Sequence, residues 1–415
     1  MIEAKKPRFF WGYVMVAAGF LAGVCIIGQS VVPGVIFKPI SQDLGWTRAA
    51  TSWGVSIAGL VSAVATVFVG RLTDKHGPRM VLIIVALAAG LGNILASRVT
   101  EIWQYYLFYS AFAGVALSGA DVPIVTTISR WFVRRRGTMI GLTKAGAGVG
   151  IIIFPMLTTI FVKNGGWRSA YLYIGIIVLI GVLLAGVLFR RDPTQMNQLP
   201  DGDTVAPVVE NVSQGMEYSV KDAIASRQFR TFAIICAIFF ICVQVVMVHL
   251  VNHITDLGIS DSIAASVLSV IGFVSIIGRV GLASLSDRLG PRRVYLITLS
   301  FLTIAILWLQ FAQSTWMFYL FGAVYGLAHG GCFALLAPML SWLFGVGALG
   351  TIMGLAMMVG MLCSVVAPLG AGWIFDLTGS YQIAFVFMLI ISIIAVLLMF
   401  SLKSTKALNG AGRQA

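Results

Sequence analysis

"GRLTDKHGPRM" (Gly70–Met80) and "ASLSDRLGPRR" (Ala283–Arg293) are two copies of one pattern, 213 residues apart. Working outward, the same offset recurs. "DLGWT" (Asp43–Thr47) returns as "DLGIS" (Asp256–Ser260), "GTMIG" (Gly137–Gly141) as "GTIMG" (Gly350–Gly354), and Pro155 as Pro368. "GWRSAY", ending at Tyr171, matches "SYQIAF", ending at Phe385, at an offset of 214. Matches held at one fixed spacing mark a tandem duplication.

What is duplicated follows from composition. The 415 residues are 59% hydrophobic and 10% charged, where a soluble domain carries about 25% charged residues. Apolar runs long enough to cross a bilayer, roughly 20 residues each, fall at 9–32, 49–70, 79–98, 103–129, 137–162, 168–189, 231–254, 262–284, 294–312, 315–344, 348–374 and 381–402. No period-two alternation suggests a β-barrel. The expected fold is an all-α membrane protein of twelve transmembrane helices in two pseudo-symmetric six-helix halves. The halves are residues 1–190 and 229–402, joined by a cytoplasmic linker at 191–228 and followed by a tail at 403–415. Within the linker, "SVKDAIASRQF" suits a short interfacial helix capped by Ser219.

The net charge of +13 does not imply nucleic acid, because of where the charges fall. With both termini cytoplasmic, 21 Lys and Arg lie in inside segments, from Lys5, Lys6 and Arg8 to Lys403, Lys406 and Arg413, against five outside (Lys38, Arg48, Arg98, Lys163, Arg168). This bias sets the orientation in a cell (inner) membrane. The first span is too long for a signal-peptide core and lacks a small-residue cleavage site, so a retained helix is expected. The five cysteines lie in apolar spans without metal-ligand spacing, so neither a metal, a cofactor nor a disulfide framework is expected. Two six-span halves joined by a loop suit alternating access around a midplane site.

The Gly70 and Ala283 motifs resemble the loop motif of the major facilitator superfamily, at the second and eighth spans where that superfamily carries it. "WFVRRRGTMIGLTKAGAGVG" (Trp131–Gly150) is similar to the fifth-helix signature of monocarboxylate porters. "FFWGYVMV", "LGWTRA" (Leu44–Ala49) and "HLVNHITDLGIS" (His249–Ser260) are similar to bacterial members of that branch. The resemblance covers residues 9–402. It implies uptake or exchange of a small organic carboxylate, often with a proton, and an eighth-helix arginine, here Arg279, that holds the carboxylate. Three positions depart from better-known members. Ser275 stands where animal members have an aspartate, Val31 where they have a first-helix lysine, and Gly360 where oxalate-exchanging relatives have an eleventh-helix lysine. Proton and anion chemistry therefore does not transfer whole.

Two basic residues lie inside spans, Lys144 and Arg279. Arg279 precedes Asp287 by eight residues, about 12 Å along a helix and close to the midplane. A guanidinium there can fork onto a carboxylate, or tie helices together through carbonyls. Lys144 follows Arg136 by eight residues and Asp121 precedes Arg130 by nine, so both reach about the same level on antiparallel spans. Asp121 is thus the natural partner of Lys144. The pair is either a structural salt bridge or a proton switch in which protonated Asp121 frees Lys144 for substrate.

Other candidates fill out the site. Tyr325 lies one turn before His329 and can share its face. Ile27, Leu117, Met358 and Met361 sit at cavity depth and could shape the space beside a carboxylate. Asp256 is a further coupling candidate, although its equivalence to Asp43 also suits a shared turn role, with Gly45 and Gly258 as helix stops and Thr47 and Ser260 as caps. Gly70, Arg71, Asp74, Lys75 and Arg79, echoed by Asp287, Arg288 and Arg292, suit an acid–base latch at helix ends that gates the inside face. The glycines of "GAGVG" suit close helix packing, not phosphate cradling, since no strand-loop-helix context with a trailing Lys-Ser/Thr exists. The sequence thus reads as a proton-coupled symporter of a small monocarboxylate such as lactate or pyruvate, not an enzyme, and monomeric. Its partners are a carboxylate, a proton and the bilayer. With two midplane cations, exchange of dicarboxylates or other organic anions is the alternative.

Overall fold

The computed structural model describes residues 9–203 and 220–402. Lys5, Lys6, Arg8, Ser219, the middle of the linker and the tail 403–415 lie outside the described residues. Within them the chain is helical and contains no strand. It divides into two compact units. Unit 1 is Met1–Arg134, Leu142–Val212 and Leu349–Leu355, and unit 2 is Arg135–Gly141, Ser213–Ala348 and Ala356–Ala415.

Unit 1 opens with α1 (Gly12–Ser30), which bends at Val31 into α2 (Val32–Leu44) ahead of Pro33. Gly45 ends α2 in the left-handed region at φ 66°, a conformation a side chain would oppose. Thr47 Oγ1 then accepts from Ala50 N at 3.2 Å and starts α3 (Arg48–His76). Gly77, at φ 87°, turns the chain into α4 (Pro78–Ala96), whose proline occupies a first-turn position that needs no N–H. The fourth span is not one helix. Short α5 (Ile102–Tyr105) runs through a π-helical stretch, Tyr106–Ala111, into α6 (Phe112–Ser118), and after a break the span resumes as α7 (Val122–Trp131).

The next helical segment, α8, spans Arg136–Leu188. Its 53 residues would extend about 80 Å, far beyond one bilayer crossing. Gly165 and Gly166, the latter at φ 75° and ψ 178°, break it into two spans. Among the described residues, eleven apolar helical stretches, one of them double, give the twelve spans expected.

Unit 2 contains α9 (Val220–Ala225), then α10 (Arg227–Asp256) with Ser226 Oγ accepting from Phe229 N at 3.1 Å. It continues with α11 (Asp261–Leu289), α12 (Pro291–Leu309), α13 (Thr315–Phe344), α14 (Leu349–Thr378) and α15 (Gln382–Ser401). The duplication is visible in the helix limits. α3 and α11 both have 29 residues and α4 and α12 both have 19, each pair displaced by 213. The outer turns differ, however. Gly258 is left-handed at φ 80°, but Ser260 makes no side-chain cap. Its carbonyl instead accepts from Ile263 N and Ala264 N, both at 3.0 Å, so the expected Ser260 cap is corrected.

Glycines set the closest helix contacts. A Cβ on Gly146 would overlap the Phe20 carbonyl, and one on Gly150 the Val24 carbonyl, so "GAGVG" lies against α1. Inside lipid, where burial gives no hydrophobic driving force between helices, such close approach supplies the packing energy. The five cysteines are all free thiols, four of them buried.

The start of the linker is more ordered than its composition suggested. Two 3-10 turns, Pro193–Met196 and Pro200–Gly202, strap across the Trp131–Arg134 turn. Trp131 Nε1 donates to Arg190 O at 2.9 Å. Asp201 Oδ2 accepts from Val133 N and Arg134 N at 3.0 and 2.9 Å, and Arg134 also pairs with Asp203.

Candidate substrate and coupling site

Unit 1 holds one candidate group of charges, where the fourth span breaks. Asp121 occupies the N-cap position of α7, at φ −116° and ψ −58°, but its side chain caps nothing. Gly119 allows the break to sit against the third span, since a Cβ there would overlap Val85 Cγ2. The carboxylate instead meets Lys144, with Oδ1 2.7 Å from Nζ. The side chains are 7% (Lys144) and 22% (Asp121) exposed. Lys144 is two residues from Gly146, about 200° around the helix, and so points away from the glycine seam against α1. The antiparallel geometry expected from sequence places the two charges together. It does not decide between salt bridge and switch.

Unit 2 holds another of its own. Arg279 is 7% exposed on α11, and its backbone is fixed from two sides. A Cβ on Gly330 of α13 would overlap the Ser275 carbonyl, and a Cβ on Gly141, at the start of α8, would overlap the carbonyl of Arg279 itself. Gly278 of α11 likewise leaves room for the Leu327 carbonyl of α13. Along α13, residues spaced four apart form a ladder of rings. Phe321 and Tyr325 stack at 5.2 Å, Tyr325 and His329 at 6.1 Å, and His329 meets Phe333 edge-on at 5.1 Å. Tyr325 Oη and His329 Nδ1 are buried without a hydrogen-bond partner, and the Arg279 charge acts on His329. Buried polar atoms of this kind need an explanation.

The remaining candidates divide. Ile27, Leu117, Met358 and Met361 are half-buried, as partial lining residues would be. Asp256 stands exposed at the end of α10, and its charge acts on His253 and Tyr381. Its counterpart Asp43 differs, accepting from Trp167 Nε1 at 3.0 Å and pairing with Arg168, so the two aspartates do not share a turn role. His249 is structural: Nε2 lies 3.0 Å from Pro368 O and must donate to it, leaving Nδ1 to accept from Tyr381 Oη at 3.2 Å.

In the gating motif both aspartates hold helix ends. Asp287 accepts from Gly137 N at 2.6 Å, Thr138 N at 2.8 Å and Thr138 Oγ1 at 2.7 Å. In the same way Asp74 accepts from Gly350 N at 3.2 Å, Thr351 N at 2.7 Å and Thr351 Oγ1 at 2.8 Å. Each aspartate therefore holds the amino end of another helix, where free N–H groups and the helix dipole favour an anion. Gly70 adjoins the same contact, since its Cβ would overlap Gly350 O. Arg71, Lys75, Arg79 and Arg288 form no ion pair among the described residues. Arg292 donates to Phe400 O at 2.9 Å, while Asp74 has a longer ionic contact, 3.8 Å, with Arg130. Sequence reading found "GTMIG", "GTIMG" and both aspartates but did not pair them. Their shared offset was the available signal.

Twelve apolar helices built from a six-span repeat, with charges buried inside them, define a secondary transporter architecture. The chain belongs to the Major Facilitator Superfamily, whose family model matches residues 18–285 and 232–415. It is accordingly a transporter and not an enzyme. Its sequence is 23% identical over 408 residues to rat monocarboxylate transporter 12, covering 92% of this chain and 83% of that one. It is 27% identical over 392 residues to bovine monocarboxylate transporter 13, with coverage of 92% and 87%. The fold resembles the solved structure of the proton:xylose symporter XylE, with a TM-score of 0.75, 14% identity and coverage of 94% and 95%.

Proposed function

We propose that this transporter moves a small monocarboxylate, of lactate or pyruvate size, by alternating access coupled to a proton. The observation that carries the reading is Arg279, a buried guanidinium whose charge acts on His329, which shares a ring ladder with Tyr325; both rings carry an unsatisfied polar atom. A bidentate grip on a carboxylate suits the arginine, and the two polar atoms suit a neighbouring oxygen on the substrate. The names of the relatives support the substrate class. Lys144 and Asp121 form a pair that is neutral in sum, which favours a monoanion over the dicarboxylate that two unpaired cations would suit. Protonation of Asp121 would cancel its hold on Lys144, giving the proton a route to change the charge seen by the substrate. The charge bias of 21 inside to five outside supports cytoplasmic termini in a cell membrane.

The test uses purified protein in liposomes, with labelled lactate or pyruvate taken up with and without an inward proton gradient. The gradient should drive accumulation, and Arg279→Ala should abolish both uptake and the thermal shift given by carboxylates. Retained uptake in that variant would move the carboxylate site elsewhere. Asp121→Asn should leave exchange but remove gradient-driven accumulation; full accumulation would exclude Asp121 as the coupling group.

A further inference from the structure

A second basic site lies away from Arg279 and Lys144, at the end of unit 1 that the charge bias places inside. His76, Arg79, Arg190 and Arg191 line a cavity of about 560 Å³, together with Gly77, Pro78, Phe189 and Gln195. Its floor is the amino end of α4, which has no side-chain cap and no acid in its first turn. The free first-turn N–H groups and the dipole there favour an anion. The nearby acids are largely engaged. The Asp74 carboxylate holds Gly350 and Thr351, and its carbonyl accepts from Arg191 at 2.8 Å. Asp192 divides between Arg130 and Arg191, at 3.6 Å from each. Arg190 turns back to the carbonyls of Val187 and Phe189, while Arg79 is exposed and forms no ion pair among the described residues.

The position of the cavity narrows the ligand. His76 ends the second apolar stretch, Pro78 begins the third, and Leu188 ends the stretch that precedes Arg190 and Arg191. The cavity therefore sits at the edge of the hydrocarbon layer. Immediately beneath it α4 and the end of α8 lie side by side, a Cβ on Gly186 coming within 3.1 Å of Leu82 Cβ. Met80 and Ile84 on α4 and Leu184 and Leu188 on α8, each two residues along its helix from that contact and so turned away from it, are exposed apolar side chains at the same level. A ligand that fits both levels has a negative head and an apolar tail.

We propose that this cavity binds the phosphodiester headgroup of an anionic phospholipid, with the acyl chains lying against the exposed apolar side chains of α4 and α8. The bound lipid bridges the Gly70–Met80 motif and the first residues of the linker. It thereby ties the ordered strap to the loop that carries Asp74.

The test is native mass spectrometry and thermal shift on the delipidated full chain in detergent. The probes are phosphatidylglycerol, phosphatidylcholine and inorganic phosphate. Phosphatidylglycerol should bind and stabilise the wild type, with phosphatidylcholine and phosphate much weaker. Each basic side chain near an anionic surface is worth about fivefold in binding, so Arg79→Gln with Arg190→Gln should weaken phosphatidylglycerol binding about 25-fold. Arg79→Lys should retain it, and the equally exposed Arg293→Gln should leave it unchanged. Equal binding of both lipids, or equal loss in Arg293→Gln, would overturn the site. A response to inorganic phosphate as large as that to phosphatidylglycerol would assign the cavity to a soluble phosphate instead.

Discussion

The Lys144–Asp121 pair makes an unequal prediction for its two halves. The contact is 2.7 Å, and Lys144 is the more enclosed partner, 7% exposed against 22% for Asp121. Removing one member of a buried pair costs about 3–5 kcal/mol, because the survivor keeps its desolvation penalty without its compensation. Asp121→Asn removes the carboxylate from the more enclosed ammonium and should fall near the top of that range. Lys144→Met strands a carboxylate that is partly wetted at the helix break, and should fall near or below the bottom. The double variant strands neither charge and should lie within about 1 kcal/mol of wild type, since a buried pair is often nearly neutral against an apolar replacement. A double-mutant cycle on purified protein, read by chemical or thermal unfolding in one detergent, gives the coupling directly. The refuting result is additivity: a double variant as unstable as the two single costs summed would mean that the charges do not compensate each other.

Three further outcomes are expected. Asp287→Asn and Asp74→Asn each weaken charge-assisted bonds to two backbone amides, worth about 1.5–3 kcal/mol apiece; hydrogen exchange at Gly137–Thr138 and Gly350–Thr351 respectively should rise about 10- to 100-fold, with each variant affecting only its own pair. Gly330→Ala should prevent a well-folded product, because the new methyl would overlap Ser275 O, whereas Gly272→Ala on α11 meets open space and should be neutral or stabilising by up to about 1 kcal/mol; size-exclusion profiles of the two variants make the comparison. His249→Phe should lower the melting temperature without changing proton-driven accumulation, since His249 spends both ring nitrogens on Pro368 and Tyr381.

Much of the fold was legible because lipid imposes strong rules. Apolar run length gave the spans, and the offset of 213 gave the matched limits of α3 with α11 and α4 with α12. The Lys144–Asp121 pair was legible because two residues at equal distances from a shared turn on antiparallel helices must lie at one level. Interruptions were not legible. The fourth span reads as one apolar run, and the signals Gly119 and Pro123 are individually common in membrane helices. Yet Asp121 owes its orientation to that break. The ordered strap was hidden for the opposite reason: a polar, Pro- and Asp-rich segment reads as a solvated linker, and only the folded Trp131–Arg134 turn supplies the N–H groups that Asp201 accepts. The hold of each aspartate on a helix end was not read from sequence, because an N–H at a helix start carries no side-chain signature; only the shared offset of 213 pointed to it.

The duplication also separates what the two halves share from what they do not. Asp74 with Gly350 and Thr351, and Asp287 with Gly137 and Thr138, are the same contact made twice, every residue displaced by 213. The buried charges obey no such rule. At the equivalent positions Lys144 meets Met357, Asp121 meets Ala334, Arg279 meets Thr66 and His329 meets Ala116. A conformational cycle that treats both halves alike needs equal holds on both, whereas recognition of an asymmetric anion needs one cation in one place. The contacts held in common are therefore those at the helix ends, and the buried charges are particular to one half. Tyr325 likewise has no tyrosine counterpart, since Phe112 stands there. Asp256 keeps an aspartate counterpart in Asp43, but Asp43 meets Trp167 and Arg168 while Asp256 stands exposed, so here a duplicated residue is not a duplicated contact.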